Sequence, residues 1–343
     1  MLKLGLFRPG LFRLGLFRLG LPGLGLFGPL TVFVMIAAAA GHARADDVYP
    51  SQPVRIIIPF PPGSTTDTLT RIVADQLGRK WGKPAVVENI AGMNIGTERV
   101  AHATPDGYTL LASPPSPLTI NMLLYHDLPY DPTKLVPITL LATVPNVLDF
   151  RKDLPVNSVT ELITYAKANP GKLTYASQGV GSTAQLSAAL LEQLAGIKML
   201  HVPYRGALPA LNDVIAGHVD MFFDTAATSL PLFRGGQIKI LAVGSSKRIA
   251  AMPEVPTLEE SGLPGFRSIT WFALVAPPDT PAALVAKINH DAVDILKDPE
   301  VSAKLRQIQL EPGATTPEDT ARFFADELKL WGKVIAVAHI AVQ

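Results

Sequence analysis

The sequence predicts an α/β fold with a largely parallel sheet, and three observations carry that expectation. From Val54 onward, β-branched apolar runs of strand length alternate with amphipathic helical stretches. The joints between them are punctuated by Gly, Pro, Ser and Thr. One joint also recurs: "GSTTDTLTRIVADQL" at 63–77 and "GSTAQLSAALLEQL" at 181–194 each follow a strand and open a helix with the same apolar stripe. Three matching junction residues can arise by chance, because Gly and Ser/Thr are ordinary before helices. If the match is real, the chain holds two similar lobes.

The elements follow in order. Val54–Pro59 is a strand, and Leu69, Ile72, Val73 and Leu77 then share one helical face. Ala85–Glu88 is a short strand, Ile95–Ala103 a helix, and Tyr108–Ala112 a strand after the turn Thr104-Pro105-Asp106-Gly107. Ile138–Leu148 reads as a long apolar strand interrupted at Pro145, suited to crossing between lobes. Ser158–Ala168 is a helix with Ser158 as cap and Glu161 three residues on. Lys172–Ala176 (strand), Thr183–Leu194 (helix), Ala207–Ile215, Val219–Phe223 and Ile238–Gly244 continue the alternation. Trp271–Ala276 is a returning strand, and Pro281–Leu296 and Pro317–Ile335 are helices.

The two Gly-Ser-Thr joints have a chemical use. The first N–H groups of a helix lack intrahelical partners and lie at the positive end of its dipole, so an anion there gains about 0.3–1 kcal/mol, up to about 2 when partly buried. Gly63 and Gly181 let a ligand approach the backbone closely, and Pro61 and Pro62 stiffen the first loop. Ser64, Thr65 and Thr66 offer hydroxyls, although plain N-capping is their other reading. Asp67 would repel an anion, so capping or holding the loop suits it unless the ligand carries an amine; Asp224, closing the run Val219–Phe223, is in the same position. Micromolar affinity requires about 8 kcal/mol. Several charge-assisted hydrogen bonds at roughly 1.5–3 kcal/mol each can supply that without an arginine clamp. Arg205 beside its turn could reach a second carboxylate or simply be exposed.

Residues 1–45 stand apart. They hold Lys3, Arg8, Arg13, Arg18 and Arg44 and no acid, then an apolar stretch from Leu19 to Ala40, then Ala43-Arg44-Ala45. That order is a cleavable signal peptide, with cleavage expected after Ala45; a retained anchor is the alternative. The GLFR unit repeating at Gly5, Gly10 and Gly15 has the look of a low-complexity leader or a start codon placed too early. The leader carries five of the 30 basic residues and none of the 29 acidic ones, so the mature chain has a formal charge of −4, which argues against a nucleic-acid partner. There is no cysteine, so a disulfide scaffold is excluded and the core alone must hold an exported chain.

Six segments also resemble one family. "YPSQPVRIIIPFPPGSTTD", "PDGYTLL", "VPNVL", "NPGKLTYAS", "VPYRGALPALNDVIAGHVDMFFD" and "VPTLEESGLPGF" are similar, in order and spacing, to the Bug family, the substrate-binding proteins of tripartite tricarboxylate transporters. The resemblance covers essentially 48–335. It implies a periplasmic two-lobed clamshell (a Venus flytrap), each lobe a mainly parallel sheet flanked by helices. The expected division is 1–45 leader, 46–147 first lobe, 148–271 second lobe and 272–343 return to the first. It implies that a small organic carboxylate, whether dicarboxylate, tricarboxylate, aromatic acid or amino acid, is held by Phe60, Pro61, Gly63, Ser64, Thr65 and Asp67 from one side and by Gly181, Ser182 and Thr183 from the other. Tyr204, Gly206 and Asp224 lie nearby. It implies permease subunits as partners, a monomer, and no metal or organic cofactor. Ser64, Gln185 and Ala207 stand where the family often has glycine, histidine and glycine, so specificity is their province.

Two other classes of function stay in view. A hydrolase would want a G-x-S-x-G elbow, but Ser182 lies in Gly179-Val180-Gly181-Ser182; no Walker A or G-x-G-x-x-G fingerprint occurs either. The mature chain's histidines, His102, His126, His201, His218, His290 and His339, show no metal-ligand spacing. A ligand-sensing receptor feeding a signalling system would need the same closure as a transport protein. Trp81, Trp271 and Trp331 read as core or hinge packing.

Overall fold

The computed structural model describes residues 49–338 and 340; the signal peptide, its cleavage point and the GLFR units lie outside the described residues. The strands are β1 (Val54–Ile58), β2 (Ala85–Asn89), β3 (Thr109–Ser113), β4 (Val136–Phe150), β5 (Thr174–Ser177), β6 (Leu200–Pro203), β7 (Met221–Thr225), β8 (Lys239–Val243), β9 (Ile269–Ala276) and β10 (Glu311–Pro312). The main helices are α1 (Thr65–Trp81), α2 (Met93–Ala101), α3 (Asn121–Leu124, continuing a π-helical turn at Ser116–Ile120), α4 (Val159–Ala168), α5 (Thr183–Ala195), α6 (Ala207–Ala216), α7 (Ala226–Arg234), α8 (Ala282–Lys297), α9 (Pro299–Gln307) and α10 (Pro317–Ala338).

The strand order is β2-β1-β3-β9-β4-β7-β5-β6, with β10 and β8 both paired to β4. Each end is a parallel trio, β2-β1-β3 and β6-β5-β7, because each strand there is followed by a crossover helix. Between the trios, β9 and β4 run antiparallel to their neighbours, which makes the whole mixed. The long strand β4 belongs to both halves: 136–145 pair with β9, and 146–150 pair with β7. Pro145 does not interrupt it. It stands opposite Ile269 at the end of the β9 ladder, just before β4 changes partner, where a missing N–H is tolerated.

The local reasons for the helices are legible. Ser158 accepts the Glu161 N–H at 3.1 Å while the Glu161 carboxylate accepts the Asn157 N–H at 2.8 Å, a reciprocal cap. Helix α1 buries Leu69, Val73 and Leu77 against β1 and ends at Gly82 in the left-handed region. Helix α10 stitches the halves together: Trp331, Val334 and Ile335 pack with Ile120 and Leu124 from one side and Leu186 and Ala189 of α5 from the other. Among the described residues no helix is long and apolar enough to cross a membrane, and no three metal-ligating side chains cluster.

Candidate functional site

The two Gly-Ser-Thr joints fold identically. In the first, Gly63 takes φ +81°, Ser64 caps α1 by accepting the Asp67 N–H at 3.2 Å, and Asp67 accepts the Gly63 N–H at 3.0 Å. In the second, Gly181 takes φ +77°, Ser182 caps α5 by accepting the Gln185 N–H at 3.4 Å, and Gln185 accepts the Gly181 N–H at 2.8 Å. The left-handed φ is what requires glycine at both places. The side chain at the third helical position thus ties the turn to its own helix in each half. The glycine N–H groups are therefore already paired, and the amides without an intrahelical partner at these joints are those at the helix starts, Thr65–Thr66 and Thr183–Ala184.

Asp67 and Tyr204 are occupied elsewhere. Besides Gly63, Asp67 accepts from Asn89 at 3.0 Å and pairs with Arg71 at 2.9 Å. Burial would raise its carboxyl, but these hydrogen bonds outweigh it and hold the group below the usual carboxylate range. The Tyr204 hydroxyl donates to Asp213 at 2.6 Å, so only its ring faces a gap between the halves. That gap, about 380 Å³, also involves Met93, Gly179 and Arg205.

A cavity of about 280 Å³ lies between the two halves. Phe60, Pro61, Phe223 and Phe272 give it apolar walls. Four helices begin at its surface: α1 at Ser64–Thr66, α5 at Ser182–Ala184, α6 at Gly206–Pro209 and α7 at Thr225. Of the residues expected at the site, Phe60, Pro61, Ser64, Thr65, Ser182, Thr183, Gly206 and Asp224 line this cavity; Gly63, Gly181 and Asp67 stand behind its wall as supports. Sequence reasoning missed Ser116, Asn146, Gln178, Thr225 and Thr270. Asn146 did carry a signal, an amide inside the apolar run Val144–Leu148; it accepts from Thr270 at 2.8 Å and donates to Ser268 at 2.7 Å.

The halves touch across the cavity mouth. The Thr65 and Thr225 hydroxyls are 2.9 Å apart, the Ser116 hydroxyl donates to the Gly181 carbonyl at 2.9 Å, and a Cβ at Gly206 would stand 3.3 Å from Pro61. Contacts from both halves thus narrow the cleft beside the cavity, and reduced water there strengthens electrostatic interactions.

A family model described as "Tripartite tricarboxylate transporter family receptor" matches residues 69–340. The chain belongs to this family. Among similar proteins, BugT of Bordetella pertussis is 35% identical over 314 residues, covering 90% of this chain and 96% of BugT. Rpa4515 of R. palustris, solved with adipate, superposes with a TM-score of 0.83 at 37% identity, covering 85% of this chain and 99% of that one. MatC of Rhodopseudomonas palustris, solved with malate, superposes at 0.79 with 31% identity, covering 84% and 100%. The two-lobed binding-protein fold expected from the sequence is the one these structures share with the chain.

In this family receptor two buried acids share one face of the second half's sheet, and one of them, Asp224, lines the cavity. Asp224 ends β7; Gln178 donates to one oxygen at 3.2 Å and the Thr228 hydroxyl to the other. Burial raises its pKa to about 6, against the lowering effect of those hydrogen bonds. Asp149, on the same sheet face of β4, is wholly buried; Ser229 donates to one oxygen at 2.6 Å and the other has no partner. Burial, and then the Asp224 charge, push its carboxyl well above the usual range. The native state therefore keeps a proton that the unfolded chain releases, so this group lowers stability as pH climbs past about 4, its ordinary value. Asp149→Asn should remove that penalty. Urea denaturation is expected to show the variant gaining on wild type as pH rises above about 4; a pH-independent difference would contradict the raised Asp149 carboxyl.

His201 is a structural residue. Its Nε2 lies 2.6 Å from the Ser177 hydroxyl, its Nδ1 lies 3.3 Å from the Gln185 amide, and its ring stacks on Tyr175. Ser177 is fully buried and outside both cavities, and the third partner is an amide rather than a carboxylate.

Proposed function

We propose that the protein captures a small organic carboxylate between its lobes in the periplasm, after removal of residues 1–45, and delivers it to the permease subunits of a tripartite tricarboxylate-type transporter. The observation that carries this reading is the convergence of helix starts on one cavity between the halves. Asp224 already occupies the positive end of α7, which leaves α1, α5 and α6 to face a ligand anion. Three such ends contribute about 1–3 kcal/mol, and direct hydrogen bonds from Thr65, Thr183 and the helix amides supply the larger share. The adipate and malate held by the related structures are acids of the size this cavity accepts.

Lobes spanning 46–147 with 272–343, and 148–271, belong to the same reading. Its support is the partner change of β4 at Pro145–Asn146 and the start of β9 at Ile269. The protein acts in this reading as a monomeric holder of its ligand rather than as a catalyst. Asp224 and Arg205 are the charged side chains on the cavity wall, and the Ser177 hydroxyl that contacts His201 is fully buried and outside the cavity lining.

Thermal-shift screening of residues 46–343 against mono-, di- and tricarboxylates, aromatic acids and amino acids tests the reading. An acid present at about a hundredfold over its dissociation constant should add about 2.7 kcal/mol of stability. Absence of a shift with every organic acid, confirmed by calorimetry, would overturn it.

A further inference from the structure

The cavity wall carries one buried acid, a group that repels a carboxylate rather than gripping it. Asp224 is the one acidic residue among those lining it and is 2% exposed. Its carboxylate accepts from Gln178, the Thr228 hydroxyl and the Thr225 backbone N–H, yet has about four lone-pair positions, so room remains for one further donor. The surroundings of Asp224 supply no cation to offset it from the protein core. Behind it, β4 presents Asp149; α7 presents the neutral Thr225 and Thr228; the turn after β5 presents the neutral Gln178; α1 reaches it only through the hydroxyl pair Thr65–Thr225. Arg205, on the start of the α6 turn, is the remaining charged group on the wall and is solvent-exposed.

We propose that Asp224 is a specificity-determining residue: it selects organic acids whose end remote from the helix-bound carboxylate presents a proton, as a hydroxyl, an ammonium or a protonated carboxyl group. This rests on the carboxylate-capture reading above and deepens it. A bare second carboxylate at that end would lie against a buried like charge with no paired cation, which is strongly unfavourable. A dicarboxylate therefore enters with one proton shared between its remote end and Asp224, taken up from solvent when both begin ionised. The raised pKa of Asp224 places this exchange in an accessible pH range.

The test uses four six-carbon probes on the mature protein: hexanoate, 6-hydroxyhexanoate, 6-aminohexanoate and adipate. Calorimetry at pH about 5 and about 8, in buffers of different ionisation enthalpy, should show adipate weakening about tenfold or more at the higher pH with net proton uptake, while the hydroxy and amino acids weaken far less. Asp224→Asn should cost 6-aminohexanoate about tenfold or more, the worth of one buried charge-assisted hydrogen bond, and should abolish proton uptake with adipate. Hexanoate, which offers Asp224 no proton, should lose less than 6-aminohexanoate does, and a cooperative urea transition reports that the variant is folded. Adipate binding that is independent of pH and free of proton uptake in wild type would place its remote end on Arg205 and overturn the inference, leaving carboxylate capture intact. Failure of all four probes, together with the wider acid panel, would overturn both.

Discussion

Trp271→Ala is expected to destabilise the protein by about 3–5 kcal/mol, the range for removing a large aromatic from a packed core. Trp271 on β9 is 1% exposed, stacks on Phe324 at 4.9 Å and meets Phe323 edge-on at 5.5 Å. Its indole N–H donates to the Glu327 carboxylate at 2.8 Å, which Trp331 also reaches at 3.0 Å. Burial raises the Glu327 carboxyl, so losing one of its two donors adds to the cost of the cavity. All three partners, Phe323, Phe324 and Glu327, lie on α10, so one substitution loosens the helix that is packed against both halves. Urea denaturation measures the loss. Trp271→Phe, which keeps an aromatic but removes the N–H, should recover more than half of it. A loss under about 1 kcal/mol for the alanine variant would mean that α10 is held elsewhere.

Gly181→Ala should lower affinity for the tightest-binding acid by about tenfold or more, with a stability loss of about 1–2 kcal/mol or greater. At φ +77° an L-residue is strained. Its Cβ would stand 2.7 Å from the tip of the Leu124 side chain and 3.2 Å from the Asn121 side-chain amide oxygen, so this crowding adds to the φ strain that pushes the turn to move. Moving it shifts the Thr183 and Ala184 amides, since Gly181 is fastened to α5 through Gln185 and to Ser116 across the cleft. Gly196→Ala is the matched control. It has φ +62° with open space around it, at the far end of the same helix. It should incur the backbone cost alone and leave affinity unchanged. Equal affinity losses from both substitutions would mean that helix strain, not placement of the turn, governs binding.

These effects show which parts of the molecule local chemistry announces. The helix after each Gly-Ser-Thr joint is specified within a few residues: Ser64 and Ser182 cap, and Asp67 and Gln185 return to the glycine N–H. Short-range patterns of this kind are readable because every partner lies within four positions. The Ser116–Leu124 segment was invisible for the opposite reason. Pro114, Pro115 and Pro117 break any helical periodicity, and the turn is held by contacts with Gly181 and α10. Helix α7 was hidden in the same way by Pro231, and α9 by its mostly charged face.

By itself the sequence determined the alternation of strands and helices, the twin capped joints and the family, because each rests on neighbouring residues or on their order along the chain. Only the tertiary structure decided that two more helix starts, α6 and α7, meet the first pair around one cavity, that Asn146 and Thr270 complete its wall, and that Asp149 and Asp224 share a buried sheet face. The physical reason is distance along the chain. Thr65 meets Thr225 160 residues later and Asn146 meets Thr270 124 residues later, and no local propensity encodes such a meeting. It arises when β4 changes partner midway and folds the two halves toward each other.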